Sequence, residues 1–169
     1  MKIIRLVDDY LAKAEKVILI FLLVIMLGLG FLQVVLRNFF GSGIHWADLY
    51  LRHSVLWIGL IGASLATKNE KHINMDALSR ILSPKLKNTL DIFLNFIACS
   101  FSVLFVYASY IFVKDEYDIS EGKAIFLGLQ AWMVELIIPV AFGIIAFRFL
   151  VKALEKIAEI FNKDTNKAE

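Results

Sequence analysis

The chain has 169 residues, of which 59% are hydrophobic and 20% are charged, and its mean hydropathy is +0.71. A water-soluble domain of this size cannot bury so large a share of apolar side chains, so the composition excludes a small soluble globule and indicates an integral membrane protein. The net charge is only +2 and the basic residues flank apolar runs, which disfavours nucleic-acid binding.

Residues 1–16 form the first predicted element. Ile3, Val7, Tyr10 and Ala14 recur at helical spacing, and charged side chains fill most of the remaining positions. This pattern favours a short amphipathic helix that lies on the membrane surface, apart from the span that follows. A simple cytoplasmic extension of the first span is the alternative.

Four later segments are long and apolar enough to cross a membrane, since about 30 Å of hydrocarbon needs roughly 20 helical residues. They are predicted at residues 17–36, 44–67, 90–113 and 124–147. The second reaches this length only when Asp48 and Arg52 are included, with Trp46 at the membrane interface. The prediction is an all-α fold with one four-helix membrane domain over 17–150 and a charged tail over 151–169.

The distribution of Lys and Arg predicts the orientation of the four spans. Fourteen of these 18 residues lie in 1–16, in 68–89 and from 148 onward, and four lie in the other two connections. Because short cytoplasmic loops are enriched in Lys and Arg, both termini and the loop after the second span are predicted to be cytoplasmic.

Charged and small residues share one face of the second predicted helix. At about 100° per residue they fall within about 100° of arc. They are Asp48, Arg52, Gly59, Gly62, Ala63 and Ala66. Because small residues let membrane helices approach closely, this face is predicted to point into protein, as a helix-packing or subunit interface to which Pro139 and Gly143 of the last span also belong, with bulky residues such as Trp57 and Ile61 toward lipid.

A similar stripe on the fourth helix includes Glu135, Pro139 and Gly143. A carboxylate inside a span is costly unless it is paired or protonated, and Pro139 cannot donate to the carbonyl of Glu135, which predicts a kink there. We therefore predict an intramembrane charge network of Arg37, Asp48, Arg52 and Glu135, with Asp48 and Arg52 paired four residues apart. Such charges are equally compatible with structural pairing and with a functional site.

A longer motif runs from the end of the first span to the loop after the second. It reads R-N-F-F-x4-H-W-A-D-L-Y-L-R-H-S-V-L-W-I-G-L-I-G-A-S-L-A-T-x4-H-I-N-M-D. It resembles the DctQ-type small membrane subunit of tripartite ATP-independent periplasmic (TRAP) transporters. The matching residues are Arg37, Trp46, Asp48, Arg52, Trp57, Gly62, Ala63, His72, Ile73 and Asp76, and Pro139 resembles the family's proline in the last span. Leu49 stands where the family commonly has a second acidic residue.

The resemblance implies a small accessory or scaffold subunit of a sodium-coupled transporter that imports an organic acid. Its implied partners are a large multi-spanning membrane subunit, which carries the sodium and substrate sites, and a periplasmic substrate-binding protein. The implied location is the inner (cytoplasmic) membrane of a bacterium or archaeon, in contact with lipid. No cofactor or substrate site is expected in this chain.

Three other interpretations arise from single residues. One interpretation is a haem-binding or structural membrane anchor of a respiratory complex, with haem ligands among His45, His53 and His72. Against it, two of these histidines are predicted near the outer surface and one in a cytoplasmic loop. A second interpretation is a small stand-alone proton-coupled transporter that uses Glu135 to carry protons. His72 and Asp76 are too few for a metal site, and no nucleophile and base share a motif, so neither a metal protein nor an enzyme is predicted.

Overall fold

The structure is a computed structural model that describes residues 2–69, 84–119, 124–126 and 128–165. The elements within these residues are α1 (Lys2–Phe40), α2 (His45–Asn69), α3 (Pro84–Ile119), β1 (Ala124–Phe126), β2 (Leu129–Gln130), α4 (Ala131–Glu135) and α5 (Ile137–Thr165). Among them are four candidate spans, Leu6–Phe40, His45–Lys68, Leu90–Ile119 and Ala131–Ala158. Each is long and apolar enough to cross a membrane, which confirms the predicted all-α membrane fold with four helical spans.

The helices form an open row. In their principal contacts α1 packs against α2, α2 against α5, and α5 against α3. The spatial order of the spans is therefore first, second, fourth, third. An open row covers little of each helix, and large apolar side chains such as Phe31 and Tyr107 remain mostly exposed in the single chain.

The first helix is longer than predicted. Residues 2–16 and the first span belong to one continuous helix of 39 residues, so the amino-terminal segment is not separated from the span. No proline or glycine occurs before Gly28, so nothing in the local sequence breaks the helix. An interfacial position for residues 2–16 stays a prediction.

The fourth span begins later and ends later than predicted. Residues 124–126 and 129–130 form a two-stranded antiparallel hairpin, with Ala124 opposite Gln130. Gly128 has φ 78°, a left-handed conformation that favours glycine in a tight turn, so helix begins only at Ala131. At the other end α5 continues through most of the predicted tail to Thr165, because no glycine or proline follows Gly143.

The other two spans lie close to their predicted positions. Helix α2 covers the predicted 44–67 almost completely. Helix α3 begins at Pro84, where proline suits the first turn of a helix, and continues to Ile119, beyond the predicted end at 113. The loop with His72 and Asp76 lies outside the described residues.

Candidate functional site

Polar side chains gather near the two ends of the helices, measured along the helix axes. The "loop end" is the end at the α1–α2 connection and the β-hairpin, and the "terminal end" is the end where α1 begins and α2 ends. The four predicted network residues lie toward the loop end. Arg37 and Arg52 are exposed, and in the part of the chain that the structure describes no hydrogen bond or ion pair joins Arg37, Asp48, Arg52 and Glu135 to one another.

Asp48 is bonded instead to Gln33, which closes the connection between α1 and α2. Gln33 Nε2 donates to the Ile44 carbonyl (3.1 Å) and to Asp48 Oδ1 (3.2 Å), and the Ile44 amide donates to Gln33 Oε1 (3.0 Å). Gln33 is only 6% exposed. A Cβ atom at Gly43 would lie 2.9 Å from Gln33 Nε2, so glycine leaves room for this amide. Gln33 therefore holds the start of α2 against the end of α1.

Glu135 ends the short helix α4. Its Oε2 is buried and has no hydrogen-bond partner, and the carboxyl group lies within electrostatic range of Glu116 and His53. His53 Nδ1 is 2.8 Å from the Leu49 carbonyl oxygen. Glu135 is thus a half-buried acid with one unpaired oxygen, within electrostatic range of a histidine of α2, and not the partner of either predicted arginine.

The helix is interrupted directly after Glu135, at Leu136. Pro139 has no N–H to donate to the Glu135 carbonyl, which accounts for the interruption predicted from the sequence. Trp57 Nε1 donates to the Val134 carbonyl at 3.0 Å. This bond joins α2 to the last turn before the break and explains why Trp57 is partly covered here and does not face outward.

Helix α2 turns most of the predicted face away from its neighbours, although Asp48 at its start is bonded to Gln33 of α1. Asp48, Arg52, Gly59, Ala63 and Ala66 are all exposed in the single chain. The covered residues lie on the other side of the helix. They are Ala47, Ser54, Ile61, Ser64 and Thr67.

Serine explains the difference between the predicted and observed faces of α2. Ser54 Oγ donates to the Tyr50 carbonyl at 2.8 Å, so its hydroxyl is satisfied within its own helix. Such a serine is as small as alanine and suits close packing equally well. The prediction from the sequence counted only glycine and alanine as small residues and overlooked Ser54 and Ser64, which lie in the covered seam of α2 together with Ala47, Ile61 and Thr67. Gly62 is half-buried near Leu19 of α1, and Pro139 and Gly143 of α5 are also half-buried.

A buried ionic cluster at the terminal end was not predicted. Arg148 is 2% exposed and its guanidinium group reaches three side chains. Arg148 Nη2 donates to Glu15 Oε2 (2.7 Å), Nε donates to Asp8 Oδ1 (2.8 Å), and Nη1 donates to Ser64 Oγ (2.8 Å) and to the Ser64 carbonyl. Ser64 Oγ donates to the other oxygen of Glu15 at 2.7 Å. Three helices therefore meet in one closed set of hydrogen bonds.

Two lysines extend this cluster around the end of α2. Lys68 Nζ donates to Asp9 Oδ1 (2.7 Å) and to the Asp8 carbonyl (3.0 Å). Lys152 Nζ donates to the Thr67 carbonyl. Carbonyls in the last turn of a helix lack partners within that helix, and cations are favourable there. We call Asp8, Glu15, Ser64, Lys68 and Arg148 the terminal-end cluster.

The residues of this cluster gave weak signals in the sequence. Glu15 lay within the predicted amphipathic segment, and Arg148 was counted only as a basic residue next to the last span. Once the fourth span is seen to run over Ala131–Ala158, Arg148 falls well inside it. An arginine inside a span calls for a partner, and this longer helix was the signal that could have revealed the site.

The remaining predicted positions are separate from both groups. Trp46 is 39% exposed at the start of α2, as suits an interfacial tryptophan. His72 and Asp76 lie outside the described residues. Within the ranges described, no three His, Cys, Asp or Glu residues come together in a way that could hold a metal ion.

Comparison with known proteins matches residues 17–159 to the DctQ component of tripartite ATP-independent periplasmic transporters. The match covers the last three spans completely and the first span from Val17 onward. The chain belongs to the DctQ family. It is thus a subunit of a TRAP transporter and a multi-pass membrane protein, as its helices indicate.

Individual DctQ-family relatives agree with this assignment. The chain is 34% identical over 80 residues to a TRAP transporter small permease protein of Haemophilus influenzae, a match covering 47% of this chain and 50% of the relative. It is 22% identical over 167 residues to the C4-dicarboxylate TRAP transporter small permease protein DctQ of Pseudomonas aeruginosa, covering 82% of this chain and 80% of that protein. A second Haemophilus influenzae small permease is 32% identical over 89 residues, covering 53% of this chain and 54% of the relative. The matched region therefore spans about half of each Haemophilus protein.

Proposed function

We propose that this chain is the accessory small subunit that supports a large membrane subunit in sodium-coupled import of an organic acid. In this proposal the large subunit carries the sodium and substrate sites, and a periplasmic binding protein delivers the substrate. The name of the Pseudomonas relative specifies C4-dicarboxylates, so dicarboxylic acids are the first substrates to test.

The observation that carries the proposal is the open row of helices with a charged, uncovered side. A transporter that works alone must enclose its substrate between helices. In this chain α1 packs mainly against α2, and α3 packs mainly against α5, so the first and third spans do not close the row around a substrate. The polar contacts of the terminal-end cluster and of Gln33 hold helices of this chain to one another. These features suit a rigid support for another membrane protein.

The test is reconstitution with defined subunits. The chain is produced with a large TRAP membrane subunit from the same organism, and the purified membrane proteins are placed in proteoliposomes with a TRAP binding protein outside. We expect uptake of a labelled dicarboxylate under an inward sodium gradient only when both membrane subunits are present. Uptake by this chain alone, or undiminished uptake without it, would overturn the proposal.

A further inference from the structure

The uncovered face of α2 is unlike the other exposed surfaces of the row. This face comprises Asp48, Arg52, Val55, Gly59, Ala63 and Ala66, all of them exposed, and it extends along most of the span His45–Lys68. The exposed surface of α3 is instead covered with large apolar side chains, which suit contact with lipid chains. They include Phe93, Phe96, Phe101, Phe105 and Tyr107. The single chain thus has one bulky apolar side and one side whose exposed residues are mostly charged or small.

Lipid chains are a poor occupant for the uncovered face of α2. Arg52 follows the first residue of α2 by seven positions, or about 10 Å at 1.5 Å per residue. It is exposed and forms no ion pair within the described ranges. Charged side chains within a span face protein or water, and small residues allow a second helix to come close. A Cβ atom at Gly59 would have no neighbour within 4 Å, so this close approach is still open.

A second copy of this chain is also a poor occupant. Two copies with the same orientation in a membrane are related by an axis along the membrane normal, which places each residue opposite itself at the same depth. Arg52 would then face Arg52, and like charges repel. Asp48 could relieve this only in part, because its carboxylate already accepts a hydrogen bond from Gln33. The charge of this face therefore calls for a partner of complementary sequence.

We infer that the uncovered face of α2 binds a transmembrane helix of a different polypeptide, with an acidic side chain at the depth of Arg52 and small side chains at the depth of Gly59 and Ala63. The acid would form a two-point hydrogen-bonded pair with the guanidinium group of Arg52. The small residues deeper in the membrane would bring the two backbones together. This inference rests on the proposed function, since the large transporter subunit is the chain expected to supply the helix.

The first experiment is site-specific photocrosslinking in membranes that contain the complete complex. A benzophenone amino acid replaces Ala63 on the uncovered face or Ala108 on the bulky side of α3, both of which are exposed alanines. We expect position 63 to form an adduct with one transmembrane helix of the large subunit and position 108 to form none. An adduct between two copies of this chain at position 63, or adducts to lipid only, would overturn the inference.

The second experiment tests the charge and the small side chains separately. Arg52→Asp is expected to lower the amount of copurified large subunit at least tenfold, and changing the acid of the crosslinked helix to Arg is expected to restore it. Ala63→Leu should reduce copurification similarly, whereas Ala108→Leu should leave it unchanged. Absence of an acidic residue from the crosslinked helix, or equal effects of the two alanine substitutions, would contradict the inference.

These results separate the inference from the proposed function. Copurification and sodium-driven uptake that persist in Arg52→Asp and Ala63→Leu would leave the accessory role intact and refute this docking face. Failure of the unsubstituted chain to copurify with the large subunit would refute both. Thermal unfolding of each purified variant distinguishes loss of the partner from loss of the fold.

Discussion

Arg148 has an almost completely buried charged side chain with hydrogen bonds from each of its three nitrogen atoms. Its guanidinium group donates to Glu15, Asp8 and Ser64, and Ser64 in turn donates to Glu15. Both charges of the Arg148–Glu15 pair are almost fully buried, at 2% and 9% side-chain exposure. Burial of a charge is tolerated when every hydrogen-bonding group is paired, but removal of one partner leaves the other charge buried and alone.

We therefore expect Arg148→Ala to lower the free energy of unfolding by about 3–5 kcal/mol. Arg52→Ala is the matched control, because Arg52 is exposed and has no ion pair among the residues described; it should cost less than about 1 kcal/mol. Tryptophan fluorescence during unfolding in mixed detergent micelles measures both values. Equal losses in the two variants would show that the terminal-end cluster does not stabilise the fold.

A double substitution tests whether the penalty arises from the unpaired acid. Replacing Glu15 by Gln in the Arg148→Met background removes the charge that would otherwise be left buried. The double variant should be more stable than Arg148→Met alone, since the two residues share hydrogen bonds and their effects do not add. Strict additivity would mean that Glu15 and Arg148 contribute independently.

At the scale of the elements, the α1–α2 connection depends on one side-chain amide. Gln33 bonds both backbone groups of Ile44 and the carboxylate of Asp48, so both hydrogens of its amide nitrogen are used. Asp48 lies in the first turn of α2, where an acid is also favoured by the helix dipole. The turn and the start of α2 are therefore a single hydrogen-bonded unit.

We expect Gly43→Ala to destabilise the protein, because the added Cβ would lie 2.9 Å from Gln33 Nε2 and would displace the bonded amide. The loss should be about 1–3 kcal/mol, the cost of leaving buried polar groups unpaired. In a Gln33→Ala background the same substitution should have much less effect, because the obstructed side chain is gone. Gly30→Ala is the control, since a Cβ atom there meets nothing within 4 Å. Unfolding measurements on the four variants would contradict this account if Gly43→Ala costs the same in both backgrounds.

Contacts between elements also explain why α1 is one helix. Lys68 of α2 and Arg148 of α5 bind acidic residues in the first four turns of α1. These contacts hold the amino-terminal part of α1 alongside α2. Helix propagation then costs little, because no helix-breaking residue occurs before Gly28.

At the scale of the whole molecule, orientation in the membrane follows from the distribution of basic residues. The terminal end carries fourteen of the 18 Lys and Arg residues when the segment 68–89 is assigned to it. The described helices agree with the required alternation, since their contacts show that α1 and α2 run in opposite directions, as do α3 and α5. This predicts a cytoplasmic terminal end and a loop end on the opposite side.

Cysteine labelling in a Cys99→Ser background tests this orientation. Asn74→Cys, in the predicted loop between the second and third spans, should react with a membrane-impermeant reagent only after the cells are opened. Ser42→Cys, which is exposed in the α1–α2 connection, should react in intact cells. The reverse pattern would require the opposite orientation of all four spans.

The amino-acid sequence by itself determined the four spans, because the length and hydropathy of a helix that crosses a membrane are local properties. It also identified the family, because an ordered motif of many residues is much more specific than any one of its residues. The predicted start and end of the fourth span were less accurate. Hydropathy does not distinguish an apolar hairpin around Gly128 from the first turn of a helix, and it does not show whether the charged residues beyond 147 continue the helix.

Only the tertiary structure decided which face of each helix is covered and which charges meet. In a membrane both the lipid and the protein interior are apolar, so hydropathy does not distinguish a lipid-facing side from a buried one. The buried seam of α2 therefore includes two serines, Ser54 and Ser64, while most of its glycine–alanine face stayed uncovered. Glu15, Ser64 and Arg148 are separated by 49 and 84 residues, and they come together only because α2 lies between α1 and α5 in the row.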